Sequence, residues 1–199
     1  MTTDYIPLTE YGKMFPFMVY ENVLALRVSL ETGLRIGDVV ALPASALVGN
    51  KLTYTAQKTG KTGVCSLSVD LARTLRKITG KRFIFESESK CGHRTRQTVW
   101  RDVKKAAHLA GITGNVAPHS ARKTHAVQTF KTRGFSAAQR ELQHDNPSTT
   151  MLYVFSQAIS DYRQEEALTF SENQLDVFAE KIAERVVDKL VKYREVSTI

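Results

Sequence analysis

The chain has 199 residues, 42% of them hydrophobic, enough for one domain with a true core and a short appendage. No apolar run approaches the roughly 18 residues that span a bilayer, and the opening MTTDYIPLTEYGK has no secretion-signal pattern, so the expected compartment is the cytoplasm. The net charge of +8 is concentrated: residues 51–134 carry 18 Lys and Arg against 4 Asp and Glu, the remainder 10 against 16, which suits either a polyanion partner or a solvated basic face.

Apolar positions at helical spacing predict a first helix over residues 16–31, broken at Thr32-Gly33, with about 15 residues ahead of it. A short helix over 35–42 stops before Pro43. The period then changes to two. LTYTAQ (52–57) and VCSLSV (64–69) alternate and flank TGKTG (59–63), which reads as a hairpin turn. Leu47-Val48 supplies a third strand, with Gly49-Asn50 as the turn. Helices resume at 70–78, at 98–110 with Gly111 as its stop, at 120–132, at 136–142, and briefly from 148. Ser171 and Gln174 make a capping box before an apolar stripe running from Leu175 to Leu190 on a charged helix. The expected class is mainly α with a small antiparallel β-sheet, an α+β fold. Cys65 and Cys91 fit a reducing compartment. Cys91-Gly92-His93 has no second ligand pair at zinc-like spacing, so no metal or cofactor is expected.

Six polar residues stand out at the joints between these segments. Arg35 follows the turn Thr32-Gly33-Leu34, and Lys58 sits at the hairpin turn, with Lys61 as its rival. His119 and Arg122 are three apart at a helix start. His144 lies in a loop, and Tyr153 follows nine residues later, with Tyr20 and Tyr162 as competing tyrosines. Each alone has a plainer reading: a helix-start arginine, a solvated turn lysine, a helix-cap or loop histidine, a core aromatic. His108 and His125 read as structural and Trp100 as core. Arg94, Arg96, Arg101, Lys104, Lys105 and Lys123, with Lys61, are candidate phosphate contacts, which position a duplex without reading its sequence.

TGLRIGDVVAL (32–42) resembles the first motif of the tyrosine recombinases, the phage-integrase family. HSARKTHA (119–126) resembles their His-x-x-Arg motif, and LQHDNPSTTMLYV (142–154) their closing motif. The likeness covers roughly residues 8–160 in the family's own order. It departs at Gln143, where the family usually has glycine. The resemblance implies a tyrosine recombinase catalytic domain over 1–170 and a C-terminal amphipathic helix over 171–199 that docks in cis or on a neighbouring protomer. The likeness departs again at the front: family members usually carry a helical core-binding domain ahead of the catalytic domain, and with about 15 residues before the first helix none is expected here.

The implied reaction is cutting and rejoining of double-stranded DNA through a 3′-phosphotyrosine, with self-association into a tetramer on DNA. Such chemistry needs a nucleophile, a charge clamp and a proton donor. A phenol, Tyr153, stores the bond energy as a phosphodiester. Two guanidiniums, Arg35 and Arg122, grip phosphate oxygens. An ammonium on a turn, Lys58, protonates the departing 5′ oxygen. By resemblance His119 is the acid/base helper and His144 a hydrogen-bond donor to the phosphate. Lysine and arginines do here what a metal ion does in many nucleases. Competing readings are a type IB topoisomerase-like enzyme, a DNA-binding module with an inactive site, and a metal-dependent nuclease using the histidines and Asp145.

Overall fold

The computed structural model describes residues 3–142, all within the first of the two units into which the chain divides, Met1–Gln157. Helix α1 (Leu8–Met14) and a 3-10 turn (Phe15–Phe17) precede α2 (Tyr20–Thr32) and α3 (Ile36–Val40). A second 3-10 turn (Ala44–Ala46) leads into β1 (Leu47–Val48), β2 (Lys51–Thr55) and β3 (Thr62–Ser66). Then come α4 (Val69–Ile78), α5 (Arg96–Leu109), α6 (Pro118–Arg133) and α7 (Phe135–Glu141). The strands form one antiparallel sheet in the order β1-β2-β3, with Leu52 opposite both Leu47 and Cys65. The expected α+β class and its hairpins are therefore present. The helix from residue 148 and the final amphipathic helix lie outside the described residues.

A large apolar core joins α1 to α6 and the inner face of the sheet, and Ala126 and Leu142 form a second, small cluster. Tyr11 and Met14 of α1, Leu24, Leu26 and Val28 of α2, Leu52 of β2, Leu71 and Leu75 of α4, and Val99 and Val103 of α5 are all buried in the large core. Each such side chain contributes about 1.5–3 kcal/mol by leaving water. Helix α2 packs on α6, and α6 on α7. No helix among the described residues is long and apolar enough to cross a membrane.

Three departures from the sequence reading have local causes. The first helix is α1, inside the stretch read as preceding any helix. Pro16, which lacks an N–H, sits at the start of the 3-10 turn, so the pattern read as one helix from residue 16 begins only at Tyr20. Helix α5 starts at Arg96 because the Thr95 hydroxyl accepts from the Thr98 N–H at 3.2 Å and caps it. Trp100 is not core: it is 49% exposed, with Lys104 Nζ 5.8 Å from the ring centroid.

Candidate active site

The turn after α2 is built to hold one shape. Thr32 Oγ1 donates to Val28 O at 2.6 Å and accepts from the Leu34 N–H at 3.3 Å, while Ser29 Oγ donates to Leu34 O at 2.7 Å. Gly33 ends the helix at φ 69°, the left-handed region where a side chain is strained. A Cβ there would also come within 2.6 Å of the His125 ring. The chain then turns outward, and Arg35, half-buried in extended backbone, stands at the start of α3.

Arg122 approaches the same turn from α6. It is 3% exposed, and its guanidinium donates to two main-chain carbonyls, Gly33 O at the end of α2 and Leu142 O just past α7. Bonds from two separate elements fix a planar fork in place, which an ammonium cannot imitate. Pro118 opens α6 because its fixed φ suits the first helical position, and the Ser120 hydroxyl accepts from the Ala117 N–H at 3.2 Å. His119 is thereby the second residue of the helix.

The hairpin supplies the third side. The Gln57 N–H donates to Asp38 Oδ1 at 3.0 Å, which ties the base of the β2–β3 turn to α3. The Gly60 and Thr59 N–H groups close the turn on Ala56 O at 2.8 and 3.2 Å. Lys58 rides on it, exposed.

These pieces enclose a cleft of about 500 Å³ that Arg35, Lys58, His119 and Arg122 line together, with Asp38 and Arg96. The His119 imidazole is pushed down to about 4. Packing of protein around it is the largest cause, followed by repulsion from Arg122, Lys123 and Arg35. The residue keeps an exposed edge, so water softens the packing part. The three cations push the same way. A neutral imidazole beside two guanidiniums is suited to take a proton while they hold an anion.

The candidate phosphate contacts divide. Arg96 lines the cleft at the start of α5, and Lys61 and Arg101 are exposed outside its lining. Arg94 is turned to the protein, with Glu21 at 3.0 Å and Asn22 at 3.1 Å. Lys104 donates to Asn115 Oδ1 at 2.5 Å. Lys123 is buried on Thr3 O, and burial pushes its pKa down. His144 and Tyr153 lie outside the described residues.

Sequence reasoning missed Asp38 as a residue of the site. The available signal was an acid one helical turn beyond Arg35, on the helix that leads to the hairpin.

A family model described as the phage integrase family matches residues 9–158. Tyrosine recombinase XerD of Rhizobium meliloti is 32% identical over 134 residues, covering 62% of this chain and 43% of the relative. XerD of Agrobacterium fabrum is 30% identical, over 66% of this chain and 47% of the relative. The chain thus spans less than half the length of these curated relatives. Among solved structures, a lambda integrase dimer (75–356) bound to a COC′ core site superposes with a TM-score of 0.69 at 20% identity, covering 84% of this chain and 63% of that one. The lambda integrase catalytic core gives 0.60 at 22% identity, over 72% of this chain and 92% of that one. At these identities the likeness establishes the fold.

Proposed function

We propose that this chain, which belongs to the phage integrase family, carries the catalytic domain of a site-specific DNA recombinase. It cuts and rejoins double-stranded DNA through a 3′-phosphotyrosine at Tyr153, without a metal ion. What carries the reading is the convergence of Arg35, Lys58, His119 and Arg122, from three separate stretches of chain, on one cleft.

In this scheme Arg35 and Arg122 bind two non-bridging oxygens of the scissile phosphate and offset the charge that gathers there in the transition state. The Tyr153 hydroxyl loses its proton to the neutral His119 imidazole and attacks phosphorus. The bond from phosphorus to the 5′ oxygen breaks, and Lys58 protonates that oxygen as it leaves. His144 donates a hydrogen bond to the phosphate. A 5′ hydroxyl from a second strand then reverses the steps and frees the tyrosine. Arg96 extends the cationic lining toward a neighbouring phosphate. A lambda integrase tetramer bound to a Holliday junction is among the structures of the same fold, and self-association on DNA is the matching expectation for this chain. Its DNA substrate and its bacterial relatives support a cytoplasmic reaction by a protein that a bacterium, phage or mobile element encodes.

A nicked DNA substrate whose short cleaved fragment diffuses away traps the covalent step. The expected product is a protein–DNA adduct resistant to SDS and formed in EDTA, absent in Tyr153→Phe and retained in Tyr162→Phe. An adduct that survives loss of Tyr153 refutes the assignment of the nucleophile. Joining to a second duplex separates a recombinase from a topoisomerase, which only relaxes.

A further inference from the structure

The two carbonyls that hold Arg122 belong to elements far apart in the chain, so something must fix the gap between them. Gly33 O ends α2, and Leu142 O follows α7. His125, three residues beyond Arg122 on α6 and 6% exposed, lies against both ends. Its Nδ1 is 2.9 Å from Leu30 O in the last turn of α2. Its Nε2 is 3.0 Å from Glu141 Oε2 and 3.3 Å from Thr129 Oγ1. A Cβ placed on Gly33 would meet this ring at 2.6 Å and Leu142 Cδ2 at 3.1 Å, so the imidazole fills the joint between the two carbonyl-bearing ends.

The bonding is specific to an imidazole. Leu30 O can only accept, so Nδ1 carries a proton and donates. That bond satisfies a last-turn carbonyl that no residue of α2 reaches. With Nδ1–H given to Leu30, the link to the Glu141 carboxylate is made by the doubly protonated ring, whose Nε2–H donates. Burial pushes against that charge, the Leu30 carbonyl and Glu141 favour it, and the Thr129 hydroxyl then donates to Glu141. Glu141 is held in turn by Arg133, at 2.6 and 2.8 Å, and by Thr129 Oγ1 at 3.3 Å. An aliphatic side chain of similar volume fills the joint but makes neither connection.

We propose that His125 is a positioning residue for the Arg122 clamp: by tying Leu30 of α2 to Glu141 of α7, it sets the spacing of the two carbonyls that hold the guanidinium. The inference rests on Arg122 as a phosphate-binding group of the recombinase site. It extends that reading to a residue that reaches no substrate.

The test compares the parent chain with His125→Leu and with Glu141→Gln, which keeps volume and loses the charge. A displacement of the guanidinium by a fraction of an ångström slows chemistry about 10–100-fold. Adduct formation at saturating nicked DNA is expected to fall by that factor in both variants, with DNA affinity within about two-fold of the parent. The Arg122 Nε–Hε NMR correlation is expected to move or broaden in both, without DNA, while amide signals of the sheet and α5 stay in place. An unmoved Arg122 correlation overturns the inference, as does a rate loss fully accounted for by weaker binding. If His125→Leu does not fold, Glu141→Gln alone decides by the same two readouts. Failure of the parent chain to form any adduct refutes the recombinase reading and leaves the NMR result to judge the positioning role.

Discussion

Replacing Gly33 with alanine tests the joint at its most crowded point. Two costs add there. Holding a non-glycine residue at φ 69° costs about 1–2 kcal/mol. The new methyl would also lie 2.6 Å from His125 Cδ2, in a ring packed on all sides, and overpacking of this kind costs about 1–3 kcal/mol. The sum is about 2–5 kcal/mol, which for a chain of this length lowers Tm by about 5–15 °C. Gly49 is the built-in control: it has φ 62°, and nothing lies within 4 Å of a Cβ added there. Gly49→Ala therefore carries the backbone cost alone, about 1–2 kcal/mol. Thermal and urea unfolding of the two variants give the difference directly. Gly33→Ala is also expected to slow adduct formation on nicked DNA, because the Gly33 carbonyl holds Arg122, while Gly49→Ala leaves that rate near the parent value. Equal melting temperatures and equal rates for the two would refute the claim that the turn after α2 is packed against the clamp.

Asp38→Ala removes the acceptor for the Gln57 N–H; a bond to a charged group is worth about 1.5–3 kcal/mol, so cleavage is expected to slow about ten-fold. If Asp38 acts by placing Lys58, Asp38→Ala adds little in a Lys58→Ala background, and fully additive losses count against the tie. The His119 ring of the free chain should titrate near pH 4 by NMR and move upward when DNA phosphate offsets Arg35, Arg122 and Lys123. With the folded value below the unfolded value of about 6.5, the neutral ring's contribution to stability is complete above that pH and declines as pH falls toward 4. A midpoint at the ordinary value in the free chain contradicts the electrostatics of the cleft. Arg94→Ala should lower stability by about 1 kcal/mol with DNA affinity unchanged, since its partners are Glu21 and Asn22. Arg96→Ala should melt normally, weaken DNA binding and reduce the salt slope by about one; the opposite pattern would reverse the two assignments.

What the sequence made legible was local. The Thr32-Gly33 stop, the change of period at the hairpin and the helix start at His119 and Arg122 each act within a few residues, and the structure has all three. The convergence on one cleft was legible only because several weak motifs occur in one order. What could not be read depends on partners far along the chain. Arg94 sits in a basic run and reads as phosphate-facing, yet Glu21 and Asn22, more than seventy residues earlier, claim it. Lys123 follows Arg122 and reads as exposed, yet Thr3 takes its ammonium. His125 read as structural, and no spacing in the sequence connects it to Leu30 or Glu141. Helix α1 has only seven residues and a proline as its N-cap, too little periodicity to register.

The contrast between Arg122 and Lys58 bears on how this protein tolerates change. The arginine's two supports are main-chain atoms of different helices, so a shift of one residue at either end dislodges it, and no side-chain exchange nearby restores it. The lysine sits on a solvent-facing turn tied to Asp38 at its root and closed on Ala56 O, where extra residues between Thr59 and Gly60 open two main-chain bonds of the turn and leave α3 and the sheet in place. Natural length variation and engineered insertions therefore belong at that turn, and the socket of the guanidinium is where the chain has no slack to give.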